Sequence, residues 1–516
     1  MNAADWRTAH GALFADFYQL TMAQAYHRHG IHERPARFDH FFRRYPDYGG
    51  HEAGYVVTAG LAWLLEWLAA TRWREEDLAY LRAVRGRGGR RTFDEEFLEW
   101  LCDRPVGEGV RIRAVPEGRV VHAGAPIAVL EGPLAPLQLI ETSVLNHLNY
   151  PSLIATKAAR LRQVAHDGTV LDFGIRRGHE RGAHAGSRAA LIGGVDATSN
   201  SGLAFTLGRS PSGAHAHSLV QAFMALGMGE LGAFDAYAAT YPDDCLLLVD
   251  TVDTLASGVP NAILTFERLR QRGHEPLGIR LDSGDLAHLA IQSARMLNEA
   301  GFERATIVLS NELDEYTIWQ IRTQILEEAP SYSVDPNALL KRLAYGVGTR
   351  LITSQGDAAL DGVYKLVQLR GDDDWLPAVK LSETPGKVLT PGEKNVWRLY
   401  DQRGMATADL VTLIGEDLRE ATRIEAHHPV APGVQRVLER ADLGEVEPLL
   451  EAVFAGSAQT EPESIGTLQE RCRNDLARLD PGVRRVLRPH RYHVSLSTTL
   501  ARLRDETIRR VRDGVA

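Results

Sequence analysis

Cysteine is nearly missing from this chain: Cys102, Cys245 and Cys472 are the only three in 516 residues, far apart and with no CxxC pair. That excludes a disulfide framework and a cysteine-based zinc site, and it suits a reducing compartment, so a cytoplasmic location is expected. A basic surplus is also lacking, since 58 Lys and Arg face 67 Asp and Glu for a net charge of −9. No whole-molecule field draws in nucleic acid or an anionic membrane, and an anionic substrate must be held by a local cluster. Long apolar runs are absent as well: LAWLLEWLAA (61–70) is interrupted by Glu66 and too short to span a bilayer. The opening MNAADWRTAH has no basic stretch followed by an apolar one, so neither export nor a membrane anchor is expected. With 44% hydrophobic and 24% charged residues, the composition is that of a soluble enzyme of two or three domains.

Lysine is the other scarce residue. Only positions 157, 341, 365, 380, 387 and 394 carry it, four of them within 365–394. A chain that otherwise uses arginine either needs compact ammonium groups there for phosphate or carries an ordinary solvated hairpin.

What is present is a repeated phrase. VLDFGIRRGHERGAHAGSRAALIGGVDATSN (170–200), LLLVDTVDT (246–254), LGIRLDSGDL (277–286), TIVLSNELD (306–314) and AYGVGTRLIT (344–353) each run from apolar residues into Asp, Ser, Asn or Gly. Strands that all finish this way belong to a parallel sheet or barrel whose site lies at the strand carboxyl ends. Strands are expected near 170–175, 190–194, 214–217, 246–250, 277–282, 306–310 and 344–347, with helical text such as LVQAFMALG and LAIQSARMLNEAG between them. Before this series, 14–30 has helical spacing and ends in HRHG; 58–70 and 75–84 are amphipathic; VRIRAVPEGRVVHAGAPIAVLEGPL (110–134) alternates like antiparallel β; and 136–166 is helical. The expected architecture is α/β: an N-terminal α+β domain (1–140), an irregular βα barrel (141–362), a β segment returning to the N-terminal domain (363–410) and a helical C-terminal extension (411–516).

The wording also resembles a known family, the nicotinate phosphoribosyltransferases, among the barrel-type phosphoribosyltransferases. The resemblance runs through FADFYQLTMAQAY (14–26), LDFGIRR, GGVDATSN, GAHAHS, LLLVDTVDTLASG, RLDSGDL, GVGTRL, KLSETPGKVLTPGEKNVWR (380–398) and HRYHVSLS (490–497), nearly the whole chain. It implies a homodimeric enzyme that makes nicotinate mononucleotide and pyrophosphate from nicotinate and phosphoribosyl pyrophosphate, with Mg²⁺ and with ATP as co-substrate, in NAD salvage.

Site roles follow from that resemblance. His217 is implied as the active-site histidine that ATP phosphorylates; an imidazole in that role needs one nitrogen free and the other held, and Asp253 is the expected holder. Asp250 is expected to serve Mg²⁺ with pyrophosphate, or to cap a helix. Phe173 and a partner subunit's Tyr18 are expected to sandwich the pyridine ring. Arg176 and Arg280 would take the nicotinate carboxylate or phosphate, Asp282 the ribose hydroxyls, and Asn311 a polar contact. Gly348 and Thr349 of GVGTR would hold the 5′-phosphate. On a strand, His215 and His217 would point the same way and could share a metal, but no third ligand has suitable spacing. Asp250 and Asp253 are not adjacent and lack a following Thr-rich turn, which separates them from the signature of the other large phosphoribosyltransferase class. One departure from the family stands three residues before His217, where Ala214 replaces the usual Thr. Rival readings are a nicotinamide phosphoribosyltransferase, which shares these motifs but not the KLSETPGKVLTPGEKNVWR wording, and a barrel that binds ligand without turnover, against which His217, Asp253, Arg280 and Asp282 weigh.

Overall fold

A computed structural model describes residues 3–381, 389–431 and 433–514. The chain forms two compact units, one of Met1–Leu153 with Ala359–Ala516 and one of Ile154–Ala358. Among the described residues no helix is long and apolar enough to cross a membrane.

The first unit carries two six-stranded sheets. One is antiparallel throughout, in the order Trp375–Pro377, Gly362–Arg370, Pro35–Phe42, Ala128–Pro133, Arg111–Ala114, Glu451–Ala455. The run after 362 thus returns to pair with Pro35–Phe42, and Tyr364 stacks on Phe38 at 4.7 Å between ring centroids. Helices Phe17–Arg28, Leu61–Ala70 and Glu75–Ala83 place Leu20, Leu64, Leu68, Leu78 and Leu81 in the core beside this sheet. His40, on the central strand, is fully buried; its Nδ1 faces the Val363 carbonyl at 3.2 Å, and burial pushes the imidazole down to about 4, so the ring is neutral at physiological pH.

The second sheet, together with Glu451–Ala455 of the first, corrects the expectation for 411–516. Helices Ile465–Ala477 and Thr498–Gly514 are there, but Arg423–His427, Gln435–Glu439, Leu443–Pro448, Glu451–Ala455 and Val494–Ser497 are strands. The Arg/Glu-rich text at 500–514 is helical, but it does not represent the whole segment: in Arg423–His427, Ile424 and Ala426 are buried and their neighbours are not, a period of two. The lysine segment is corrected too. Lys394 is buried, its Nζ 2.8 Å from Asp39 Oδ2 and donating to the Gly392 carbonyl at 2.7 Å, so it is closed to phosphate. Lys365 lies 3.9 Å from Glu141, and Lys387, with the rest of 382–388, falls outside the described residues.

The second unit is a six-stranded, wholly parallel sheet in the order Ala197–Thr198, Thr169–Asp172, Leu343–Val347, Thr306–Ser310, Gly278–Leu281, Leu246–Leu248. It is a half barrel. Most of its strands end at or just before Asp, Ser or Gly, and acidic residues then cap the following helices: Asp285 accepts the His288 amide, Asp314 those of Tyr316 and Thr317. Two expected strands are not strands. Residues 190–192 finish the buried face of helix Glu180–Ile192, which Gly194 (φ +107°) helps to terminate, and 214–217 is an extended segment leading into helix His217–Ala225.

Parallel register and the two-residue alternation of side chains then decide what meets at the carboxyl edge. Asp172 pairs with Val347 and Thr198, Ser310 with Gly346, and Arg280 with Val308 and Leu248. Leu171, Phe173, Leu246, Val308 and Ala344 form one apolar cluster, so Phe173, Gly346, Ser310, Arg280 and Asp282 continue that same face toward the mouth.

Candidate active site

Phe173 is the floor of the mouth. Its amide donates to Val347 O at 2.9 Å, and its ring lies so close to the next strand that a Cβ at Gly346 would stand 2.4 Å from two ring carbons. The first glycine of GVGTR therefore makes room for an aromatic ring. Asp172, fully buried, accepts the Gly174 amide at 2.8 Å and the Thr198 hydroxyl at 2.7 Å, which fixes the turn carrying Phe173 out of the strand. The Arg280 guanidinium carbon sits 5.2 Å from the Phe173 ring centroid, a cation–π distance.

Arg280 is bound into a network. Nε donates to Ser310 Oγ at 2.9 Å and Nη2 to Asp282 Oδ1 at 3.0 Å, while Ser310 Oγ also donates to Asp282 Oδ1 at 2.5 Å. Asp282 Oδ2 then lies 3.8 Å from His217 Nε2. Asp250 approaches the same nitrogen from the neighbouring strand, with Oδ1 at 3.9 Å. Its other oxygen is committed, accepting the Asp282 amide at 3.0 Å and the Ser283 hydroxyl at 2.6 Å. The Asp250 side chain is 2% exposed, yet its Oδ1 has no hydrogen-bond partner. A buried carboxylate oxygen left unpaired is costly, so this atom is suited to a cation or a donor brought by a ligand.

His217 opens helix His217–Ala225 with its side chain 39% exposed. Its Nδ1 is 3.1 Å from Thr251 Oγ1. This corrects the expected role of Asp253, whose Oδ1 accepts the amides of Leu255 and Ala256 and caps the next helical turn. Two backbone donors two and three residues away outcompete a ring across the mouth, and the apolar helical text after Asp253 is the signal for it. Thr251 and Ser310 are the residues sequence reasoning passed over; each stands at or just beyond a strand end.

The remaining candidates lie apart from this network. Arg176 is exposed on the 3₁₀ turn Ile175–Arg177. Asn311 is exposed just past Ser310 and holds φ +90°, a strained left-handed conformation for a residue with a side chain. Gly348 and Thr349 begin the short helix Thr349–Ile352, with Thr349 exposed. Tyr18 belongs to the other unit, on helix Phe17–Arg28, with 47% of its surface exposed. Ala214 packs on the apolar cluster that contains Phe173, so the missing threonine hydroxyl leaves an apolar contact there. Among the described residues no group of three or more His, Cys, Asp or Glu could hold a metal.

Comparison with known proteins places this geometry in context. Residues 13–149 match the family model described as nicotinate phosphoribosyltransferase N-terminal domain, and 393–504 the one described as nicotinate phosphoribosyltransferase C-terminal domain. The Bacillus subtilis nicotinate phosphoribosyltransferase is 38% identical over 489 residues, covering 94% of this chain and 93% of that protein. The human nicotinate phosphoribosyltransferase is 31% identical, covering 96% of each. The crystal structure of human nicotinic acid phosphoribosyltransferase superposes with a TM-score of 0.77 at 28% identity, over 95% of this chain and 99% of that one. Nicotinate-nucleotide pyrophosphorylase from Pyrococcus furiosus shares the fold, with a TM-score of 0.62 at 20% identity over 93% and 97% of the chains.

Proposed function

The chain belongs to the nicotinate phosphoribosyltransferase family, and from that premise we propose how its parallel-sheet unit joins nicotinate to phosphoribosyl pyrophosphate in NAD salvage and couples the transfer to ATP. The reaction forms a bond from the pyridine nitrogen to the anomeric carbon and breaks that carbon's bond to pyrophosphate. The nitrogen lone pair is already free, so no base is needed; orientation and charge stabilisation carry the step. Phe173 offers the pyridine ring a face, Arg280 stands over that floor, and Asp282, locked by Arg280 and Ser310, presents Oδ2 to ribose hydroxyls. Arg176, Asn311, Gly348 and Thr349 lie in the turns and helix starts just after their strands, where they would reach phosphate and ribose. Mg²⁺ fits beside Asp250, whose buried Oδ1 lacks a partner; with no larger ligand cluster among the described residues, pyrophosphate oxygens would supply most of its shell. Bound there, it would neutralise charge on the leaving group.

The observation that carries the coupling is the setting of His217. With Nδ1 held by Thr251, Nε2 is left as the nucleophile, facing Asp250 and Asp282. Attack on ATP forms an Nε2–P bond and breaks the γ-phosphorus bond to the bridging oxygen, releasing ADP. Two carboxylates within 4 Å repel the new phosphoryl group, which favours its return to water. The three free cysteines agree with a cytoplasmic home.

Substrate choice tests the assignment. Nicotinate carries a carboxylate where nicotinamide carries a neutral amide, and Nη1 of Arg280 lies outside the Ser310–Asp282 network. A charge-assisted contact there contributes about 1.5–3 kcal/mol, or roughly tenfold to a hundredfold. Wild type should prefer nicotinate, and Arg280→Gln should lower kcat/KM for nicotinate by that factor while nicotinamide suffers less, each measured with and without ATP. A wild-type preference for nicotinamide overturns the assignment.

The exposure of the Tyr18 ring supports the further proposal that it reaches the mouth of a second copy's sheet, in a homodimer with shared sites. Mixing Tyr18→Ala with Arg280→Ala chains should restore activity, because one of the two mouths in a mixed dimer is then whole. No recovery after verified subunit exchange would refute sharing.

A further inference from the structure

His215 has no part in the chemistry above, yet it is buried and every ring nitrogen is engaged. Leu248 donates its amide to His215 Nε2 at 3.1 Å, and Nδ1 lies 3.3 Å from the Ala216 carbonyl. The ring packs edge-on against Tyr237, 4.9 Å between centroids, and beside Phe234. An acceptor at Nε2 fixes the neutral tautomer with its proton on Nδ1. Burial, the largest influence, also lowers this histidine's pKa, with Arg280 and His217 adding in the same direction.

The place of that bond is informative. Leu246–Leu248 and Ala197–Thr198 are the two edges of the half barrel. Val249 donates its amide to Arg280 O, toward the neighbouring strand, so the alternation of a strand turns the Leu248 amide to the open side. Leu248 is buried, which makes an unsatisfied amide costly. At the other edge, Ser212 donates its amide to Thr198 O at 2.9 Å. The segment Ser212–His215 therefore bridges both open edges, and the imidazole substitutes for the carbonyl that a further strand would present. Two residues on, His217 meets Thr251, three residues after Leu248. Two ties link the same pair of segments.

We infer that His215 is a positioning residue, whose Nε2 closes the sheet edge at Leu248 and thereby sets His217 against Thr251, Asp250 and Asp282. It rests on the proposed role of His217 as phosphoryl acceptor. A side chain of similar bulk without an acceptor leaves the Leu248 amide unpaired and frees the start of the histidine helix. Glutamine, which can present Oε1 to that amide, should restore the tie.

Full-length His215→Phe, His215→Leu and His215→Gln proteins separate these cases by hydrogen exchange at the Leu248 amide and by the rate of labelled phosphate transfer from ATP to His217. In Phe and Leu variants, exchange should speed up and phosphorylation slow by about tenfold or more, the scale of one lost buried hydrogen bond, while Gln returns both to within roughly threefold of wild type. Wild-type phosphorylation rates in the Phe or Leu variant, or a Gln variant no better than Phe, overturn the inference. If the wild type itself takes no phosphate from ATP, the coupling proposal falls, and amide exchange alone then decides: protection in wild type and Gln with loss in Phe and Leu sustains the tie, equal exchange in all four removes it.

Discussion

Replacing His217 by alanine is expected to erase stimulation by ATP while slow phosphoribosyl transfer persists. The ring makes none of the hydrogen bonds that organise the pyridine face: Phe173 and Arg280 are held by Val347, Ser310 and Asp282, and of these His217 approaches the free oxygen of Asp282, 3.8 Å from Nε2. What the ring contributes is Nε2, with Nδ1 tied to Thr251 and two carboxylates at 3.8 and 3.9 Å. Alanine removes the acceptor of the phosphoryl group, so the ratio of kcat/KM with ATP to that without should fall to about one. Steady-state assays with nicotinate, read for both nicotinate mononucleotide and ADP, check this. ADP release that still tracks product formation in the variant would sink the phosphohistidine role. A complete loss of transfer without ATP would instead make His217 part of bond breaking.

The second large effect is on stability. Glu315 is fully buried in the first turn of helix Glu315–Glu328, with Lys157 Nζ 2.5 Å from Oε2 and Arg160 Nε 2.9 Å from Oε1. Lys157 and Arg160 are themselves 1% exposed, and Arg160 also donates to the Tyr316 hydroxyl at 2.9 Å. Glu315→Ala strands two cations in the core. Burial already pushes the Lys157 ammonium down and Glu315 pulls it back up, so without the carboxylate the lysine can shed its proton. Arginine cannot, and its uncompensated guanidinium sets the cost. Breaking a buried pair in this way destabilises by about 3–5 kcal/mol. Urea unfolding should show the midpoint of the parallel-sheet unit falling with the slope little changed. A loss below about 1 kcal/mol would mean that water reaches the triad and the burial is not effective.

How much of this was legible beforehand depends on whether a feature is local. The strands Leu246–Leu248, Gly278–Leu281 and Thr306–Ser310 lie within the apolar runs read from the sequence, and Leu343–Val347 begins one residue before its run, because a short buried parallel strand bounded by polar residues carries its own signature. That Arg280 and Asp282 share a face follows from the two-residue repeat of a strand. The segment 411–516 departs from the expectation because only Ile465–Ala477 and its charge-dense end, Thr498–Gly514, keep a helical period, and the buried alternation in Arg423–His427 is carried by only two apolar residues, Ile424 and Ala426. The helix at Glu180–Ile192 was mistaken in part for a strand because four apolar residues before a Gly-Gly turn fit either state.

By itself, then, the sequence determined that the chain is an α/β enzyme of this family with charged and aromatic residues at the carboxyl ends of parallel strands, since apolar period, strand-end chemistry and extended motifs are written in consecutive residues. Only the tertiary structure decided which atoms meet: that Thr251 and not Asp253 holds His217, that Ser310 locks Arg280 to Asp282, that Gly346 clears space for Phe173, and that His215 closes the sheet edge. The reason is geometric. A hydrogen bond is settled within a few tenths of an ångström by strand register and by which acceptors the caps have already taken, and both depend on residues tens of positions apart.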